Sequence, residues 1–143
     1  MPEYRFLQHP GPHQTQEILA LYKAEGWWTA SLDDRALIGR IVSGSHCFLV
    51  VESDDRIIGM GRAISDGTSD GYIQDVAVSD GWRGRGIGTT IVRRLLDRLE
   101  ADGVNWIGLI AERCSHGFYR RLGFEIMENS TPMVRLTTTA ENQ

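Results

Sequence analysis

The chain has 143 residues, of which 41% are hydrophobic and 24% charged, with a net charge of −4; this profile suits one globular domain with a single substantial core. No run approaches about 18 consecutive apolar residues, and Met1-Pro2-Glu3-Tyr4-Arg5 does not open a signal peptide, so a cytoplasmic protein with no membrane partner is expected. Cys47 and Cys114 stand in no metal-ligand spacing, which indicates neither a disulfide framework nor a metal site, and the net acidity argues against nucleic acid as a partner.

Along the chain, the Pro10-Gly11-Pro12 turn is followed by a predicted helix from Thr15, as cap, to Glu25, with Ile18, Leu21 and Tyr22 on one face and Gly26 ending it. Ser31-x-x-Asp34 approximates a capping box for a second helix that buries Leu37, Ile38, Ile41 and Val42. Cys47-Phe48-Leu49-Val50-Val51, a Ser53-Asp54-Asp55 turn and Arg56 to Gly61 predict a hairpin. A polar loop, Ser65 to Gly71, leads into a buried strand, Tyr72 to Val78, rich in β-branched and apolar residues. Ile87, Ile91, Leu95 and Leu99 then recur every four residues with Val92 and Leu96 beside them, an amphipathic helix that Gly103 terminates. A strand at Trp106 to Ile110, a short helix carrying Tyr119, and two closing strands around Phe124–Met127 and Met133–Leu136 complete the series. This order predicts an α/β fold of the α+β kind, a mixed, twisted, mostly antiparallel sheet flanked by helices. Residues 1–137 form the one domain, and 138–143 a polar tail.

The most informative segment is Trp82-Arg83-Gly84-Arg85-Gly86-Ile87-Gly88-Thr89, which joins a strand to a helix. A glycine-rich turn at a helix start presents backbone N–H groups without Cβ obstruction at the positive end of the helix dipole, and so forms an anion site. The span Arg83 to Arg121 carries a net charge of +4 and the rest of the chain −8, a distribution suited to a polyanionic ligand. Arg94 and Arg98, on the polar face of the helix, read as solvated. A P-loop would need Gly-Lys-Ser/Thr, yet the chain's single lysine is Lys23; a dinucleotide fingerprint would need glycine where Thr89 stands and an acid on a following strand. Both readings fail.

What remains, Arg83-x-x-Gly86-x-Gly88 after a strand ending Val76-Ala77-Val78, resembles the GNAT superfamily of acyl-CoA-dependent N-acetyltransferases. Phe118-Tyr119-Arg120-Arg121-Leu122-Gly123-Phe124 resembles the same family's Phe-Tyr-x-x-x-Gly-Phe segment. The resemblance implies a cleft where the strands ending at Val78 and Ala111 splay apart, with acetyl-CoA as the acyl-donor substrate. It further implies that the backbone of Val76, Ala77 and Val78 pairs with the pantetheine arm. By the same resemblance, the amides of Arg83, Gly84, Arg85, Gly86, Ile87, Gly88 and Thr89 are expected to hold the pyrophosphate. Ser115 stands where family members often carry a cofactor-contacting Asn.

Transfer to an amine requires deprotonation of the nucleophile, stabilisation of an oxyanion and protonation of the leaving thiolate. Tyr119 matches the family's proton donor to sulfur, and a phenol near pKa 10 stays protonated at neutral pH. Glu112, just past the strand ending at Ala111, is the first candidate base, a carboxylate whose pKa partial desolvation would raise. Asp75, His116 and a water chain compete with it. Strand alternation places Asp75 on the face opposite Gln74, Val76 and Val78. Cys114 admits an acyl-enzyme route, whereas the resemblance implies direct transfer in a ternary complex. On the acceptor side stand Trp27 and Trp28, suited to stacking on an aromatic or cationic amine, and Tyr72 and Gln74 on the Val76/Val78 face. The expected function is therefore transfer of an acetyl group from acetyl-CoA to a primary amine of a small molecule; acetylation of a peptide or protein amine and a non-catalytic acyl-CoA sensor are the alternatives. A homodimer accords with the resembled family.

Overall fold

The computed structural model describes residues 1–29 and 34–137; Ser31 of the expected capping box and the tail 138–143 lie outside them. Five strands form one sheet in the order β1-β2-β3-β4-β5: β1 Glu3–Leu7, β2 Cys47–Ser53, β3 Arg56–Ser65, β4 Asp70–Val78 and β5 Trp106–Gly108. The first three junctions are antiparallel, and β4–β5 is parallel. Helices α1 (Pro12–Ala24) and α2 (Arg35–Gly44) cover one face; α3 (Ile87–Ala101) covers the other, and α4 (His116–Arg120) follows β5.

Local chemistry explains most of these elements. α1 starts three residues before the expected cap: Gly11 is its N-cap, Pro12 stands in the first turn, and Gly11 N–H donates to Gln14 Oε1 at 3.0 Å. Thr15 is instead buried inside the helix. Asp34 caps α2 by accepting from Leu37 N–H at 2.9 Å. The β2–β3 hairpin turns at Asp54 and Asp55, both with positive φ (50° and 62°), as a two-residue hairpin loop requires. β2 is apolar and buried on both faces from Cys47 to Val51, because helices cover both sides of the sheet there.

Three sequence expectations are corrected. Residues 3–7 form an edge strand that was not anticipated, although Glu3-Tyr4-Arg5-Phe6 alternates exposed charged and half-buried aromatic side chains as a strand does; β2 supplies its partner, from Glu3↔Glu52 to Leu7↔Phe48. Arg94 and Arg98 are not simply solvated. Their guanidinium groups lie 5.2 Å over the Tyr4 ring and 5.1 Å over the Phe6 ring, which fastens α3 to β1. The segment 106–110 pairs only through Gly108, and neither closing strand forms: residues 125–137 are exposed, with no strand pairing among the described residues.

On its α3 side the sheet meets Ile87, Ile91, Val92, Leu95 and Leu99, all buried, each worth roughly 1.5–3 kcal/mol. Such close approach requires Gly61. A Cβ there would lie 2.7 Å from Ile91 Cγ2 and 3.1 Å from Leu95 Cδ1.

Candidate active site

Opposite Gly61 the sheet is irregular. Met60 pairs with Ala77 and Arg62 with Gln74, so Asp75 and Val76 together face a single residue. That is a β-bulge, and Asp75 takes φ 58° to make it. The bulge overturns the expected alternation. Ile73, Val76 and Val78 pack toward α3, while Gln74 and Asp75 both reach Arg62 on the α1–α2 side, so Gln74 and Tyr72 do not share the Val76/Val78 face. Arg62 Nε donates to Asp75 Oδ2 at 2.7 Å, and its Nη2 to Gln74 Oε1 at 3.1 Å. Tyr22 Oη donates to the same Asp75 oxygen at 2.7 Å. Two donors, one from α1 and one from β3, thereby hold one oxygen of Asp75.

The bulge bends β4, and its pairing with β5 ends at Tyr72↔Gly108. Beyond that point the strands diverge, as the resemblance implied, around a cleft of about 720 Å³. One wall runs from Tyr72 through Val78 to the turn; the other comprises Ile110, Glu112, Arg113, Ser115, Phe118 and Tyr119. The β5-facing edge of residues 73–78 has no strand partner among the described residues. One of its acceptors is already engaged: Arg83 Nε donates to Val78 O at 3.0 Å.

The floor is the turn into α3. Gly84 and Gly86 adopt φ 77° and 80°, values that a side chain disfavours, and a Cβ on either would meet nothing within 4 Å. Glycine is needed there for conformation, and the space stays open to a ligand. The first α3 amide bonded to the turn is Thr90 N–H, to Gly86 O at 3.1 Å; those of Ile87, Gly88 and Thr89 line the cleft as helix-start donors. Arg85 is the exception. It lies outside the cleft lining, its guanidinium 4.8 Å over the Trp82 ring, and Trp82, not singled out by sequence, takes its place in the wall. This open, donor-rich cradle fits the diphosphate of a coenzyme A thioester.

Tyr119 lies between Phe118 and Phe124, ring centroids 4.9 and 5.8 Å away. Burial, then the charge of Glu112, raises its pKa above the usual phenol value, and the same two causes raise that of Tyr72. Glu112, Tyr72 and Tyr119 thus converge on one end of the cleft. Glu112 itself is exposed, not partly desolvated as expected. Ser115 lines the cleft and accepts from Phe118 N–H at 3.0 Å through its carbonyl. Cys114 and His116 are exposed and outside the lining.

Trp27 lines the cleft, but Trp28 does not; it stacks on Tyr22 at 4.5 Å and secures the end of α1. Sequence reasoning missed Glu25. Its carboxylate, 10% exposed, pairs with Arg83 at 3.1 Å and Arg113 at 2.9 Å, tying the end of α1 to the turn and to the loop after β5. Nothing local marks it, because its partners lie 58 and 88 residues away.

With that geometry in place, a family model described as "Acetyltransferase (GNAT) family" matches residues 2–124. The chain belongs to the GNAT acetyltransferase family. A GNAT-family acetyltransferase of Streptococcus pneumoniae TIGR4 superposes on it with TM-score 0.78 at 25% identity, over 96% of this chain and 99% of that one. A Glycine max protein named histone acetyltransferase TAP1 is 40% identical over 70 residues, 49% of this chain and 30% of that protein. Serotonin N-acetyltransferase 2, chloroplastic, of Oryza sativa subsp. japonica is 39% identical over 72 residues, 50% of this chain and 36% of that protein. This GNAT chain therefore spans about a third of the length of these curated relatives. Among its described residues no helix is long and apolar enough to cross a membrane.

Proposed function

We propose that this GNAT chain transfers an acetyl group from acetyl-CoA to the primary amine of a small molecule, directly and within a ternary complex. The observation that carries the reading is Tyr119, a phenol in the cleft wall whose burial keeps it protonated. An acid that must donate to a departing thiolate has to hold its proton until that moment.

Acetyl-CoA supplies the activated acyl group. The protein's part is distributed along the cleft. The amides of Gly86 to Thr89 hold the diphosphate at the α3 start, and the free edge of Val76 and Ala77 orients the arm leading to the thioester. Glu112 accepts the proton that the attacking amine loses as its nitrogen bonds to the acyl carbon. Tyr119 gives its proton to sulfur as the carbon–sulfur bond breaks. Exposure of Cys114 outside the cleft lining favours this direct route over an acyl-cysteine.

The acceptor end combines aromatic Trp27 and Tyr72 with the carboxylate of Glu112. This is a surface for a cationic amine carrying an aromatic or apolar body. The test is release of free CoA thiol over a panel of arylalkylamines, aliphatic polyamines and peptides with free amines. Turnover with arylalkylamines above the others supports the reading. Turnover on peptides alone would move the acceptor to protein, and acetyl-CoA binding without turnover on any amine would leave a sensor.

A further inference from the structure

Asp75 is one of the two residues that the β4 bulge sets opposite Gly61, and it holds the left-handed conformation, at φ 58°. Glycine is the usual residue at such a point, because it has no Cβ to be penalised there. Here an arginine holds a side chain in its place. Arg62, on β3, is 17% exposed at its side chain. Its guanidinium donates through Nε to Asp75 Oδ2 at 2.7 Å, through Nη2 to Gln74 Oε1 at 3.1 Å and through Nη1 to Ser45 Oγ at 3.4 Å. Tyr22 on α1 donates to the same Asp75 oxygen at 2.7 Å. In a regular strand, consecutive side chains point to opposite faces. One guanidinium can therefore grip both Gln74 and Asp75 only when the bulge is present, so this grip favours the bulged strand over the regular one.

The bulge decides the orientation of everything beyond it. Ile73 packs toward α3 before the bulge, Val76 and Val78 do so after it, and Ala77 packs on the α1–α2 side. With Ile73 in place and no bulge, strict alternation would turn Val76 and Val78 toward α1 and α2, and Ala77 toward α3. Backbone groups follow the same period. A residue's N–H and C=O point to one edge of a strand and its neighbour's to the other, so without the bulge a different set of peptide groups would face the cleft between 76 and 78. We propose that Arg62 is a positioning residue for the acyl donor: by gripping Gln74 and Asp75 together, it fixes which peptide groups of β4 face the cleft. Arg62 lies outside the cleft lining and acts through Asp75. The inference rests on acetyl-CoA lying along that edge and is independent of the acceptor.

The experiment is calorimetry of acetyl-CoA binding to full-chain variants at both positions, with the Cα and Cβ chemical shifts of Asp75 read by NMR without ligand. Asp75→Gly and Asp75→Ala lose the same side-chain bonds, but only glycine takes the left-handed conformation freely. Asp75→Gly should bind within about threefold of the wild type, and Asp75→Ala about tenfold more weakly, the ratio set by the penalty on a left-handed Cβ. Arg62→Met should weaken binding about tenfold or more and move the Asp75 shifts from left-handed toward extended values, whereas Arg62→Met/Asp75→Gly should recover to within about threefold of the wild type. If Arg62→Met does not fold, the glycine and alanine variants at 75 decide. Equal binding by those two overturns the inference. So do undiminished affinity in Arg62→Met, a double variant that binds no better than Arg62→Met, or Asp75 shifts that stay left-handed in Arg62→Met. A wild type that binds no acetyl-CoA overturns the donor reading and this inference with it, and the Asp75 shifts then show by themselves whether Arg62 holds the bulge.

Discussion

Glu25 and Arg83 are 58 residues apart in sequence, and Arg83 Nη2 donates to Glu25 Oε1 at 3.1 Å. The same carboxylate accepts from Arg113 Nη1 at 2.9 Å, so one side chain at the end of α1 holds both lips of the cleft. Both arginines are more than half exposed, at 54% and 61%, so solvent screening keeps the energy small. Glu25→Gln is expected to cost about 1 kcal/mol of stability or less. The denaturant midpoint should shift accordingly in dilute buffer, and the difference should shrink in 1 M salt, where the Debye length is about 3 Å. A larger, salt-independent loss would mean that Glu25 acts by packing.

Cofactor binding should fail when the turn into α3 is altered. Gly86→Pro forces φ from 80° to about −65° and breaks the cradle. Gly88→Asp is the cleaner probe. Its Cβ would meet Phe118 Cζ at 3.5 Å, an ordinary contact, so the fold should persist while a carboxylate enters the anion site. Acetyl-CoA affinity measured by calorimetry should drop at least about tenfold, the equivalent of about 1.4 kcal/mol; unchanged affinity in a folded variant would remove the diphosphate from this turn.

Tyr119→Phe removes one hydroxyl and leaves the ring between Phe118 and Phe124. General acid catalysis contributes roughly 10²–10⁴-fold, so kcat should fall by about tenfold or more while acetyl-CoA affinity stays within about twofold. Glu112→Gln should abolish the acidic limb of the kcat/KM profile, since no carboxylate remains there to titrate. An unchanged profile would assign the proton to water. Cys114→Ala should turn over at the wild-type rate, and mass spectrometry of the enzyme with acetyl-CoA alone should show no acetyl-cysteine.

Stability should decline in alkali. Burial, then the Asp75 charge, holds the Tyr22 pKa well above the phenol value; burial and Glu112 raise that of Tyr119; burial pushes the Cys47 thiol up to about 11. A pKa higher in the folded than in the unfolded state favours the fold through the neutral form. That contribution is complete below the unfolded values, about 8.5 for the thiol and about 10 for the phenols, and is lost as pH rises through the folded ones. Urea midpoints should therefore hold steady to about pH 8.5 and fall beyond it, by at most about 1.36 kcal/mol per pH unit for each group. Tyr22→Phe lowers stability at every pH through its lost bond to Asp75, and it should also flatten the slope above about pH 10. An unflattened slope would place the alkaline sensitivity elsewhere.

The sequence by itself determined the features written in local periods and local turns. The four-residue apolar repeat from Ile87 to Leu99 marks α3, because side chains that far apart share a helix face. Glycines at 84, 86 and 88 mark the anion turn, and the Phe118–Phe124 segment places Tyr119 in the cleft wall. Only the tertiary structure decided what depends on which edges and charges meet. Residues 3–7 become a strand because β2 offers them an edge. Asp75 turns to the Gln74 side because the β3–β4 register spends two residues opposite Gly61. Glu25 becomes the clamp because folding brings two distant arginines to it. Pairing register and long-range ion pairs have no repeat along the chain, so they emerge only when the sheet closes.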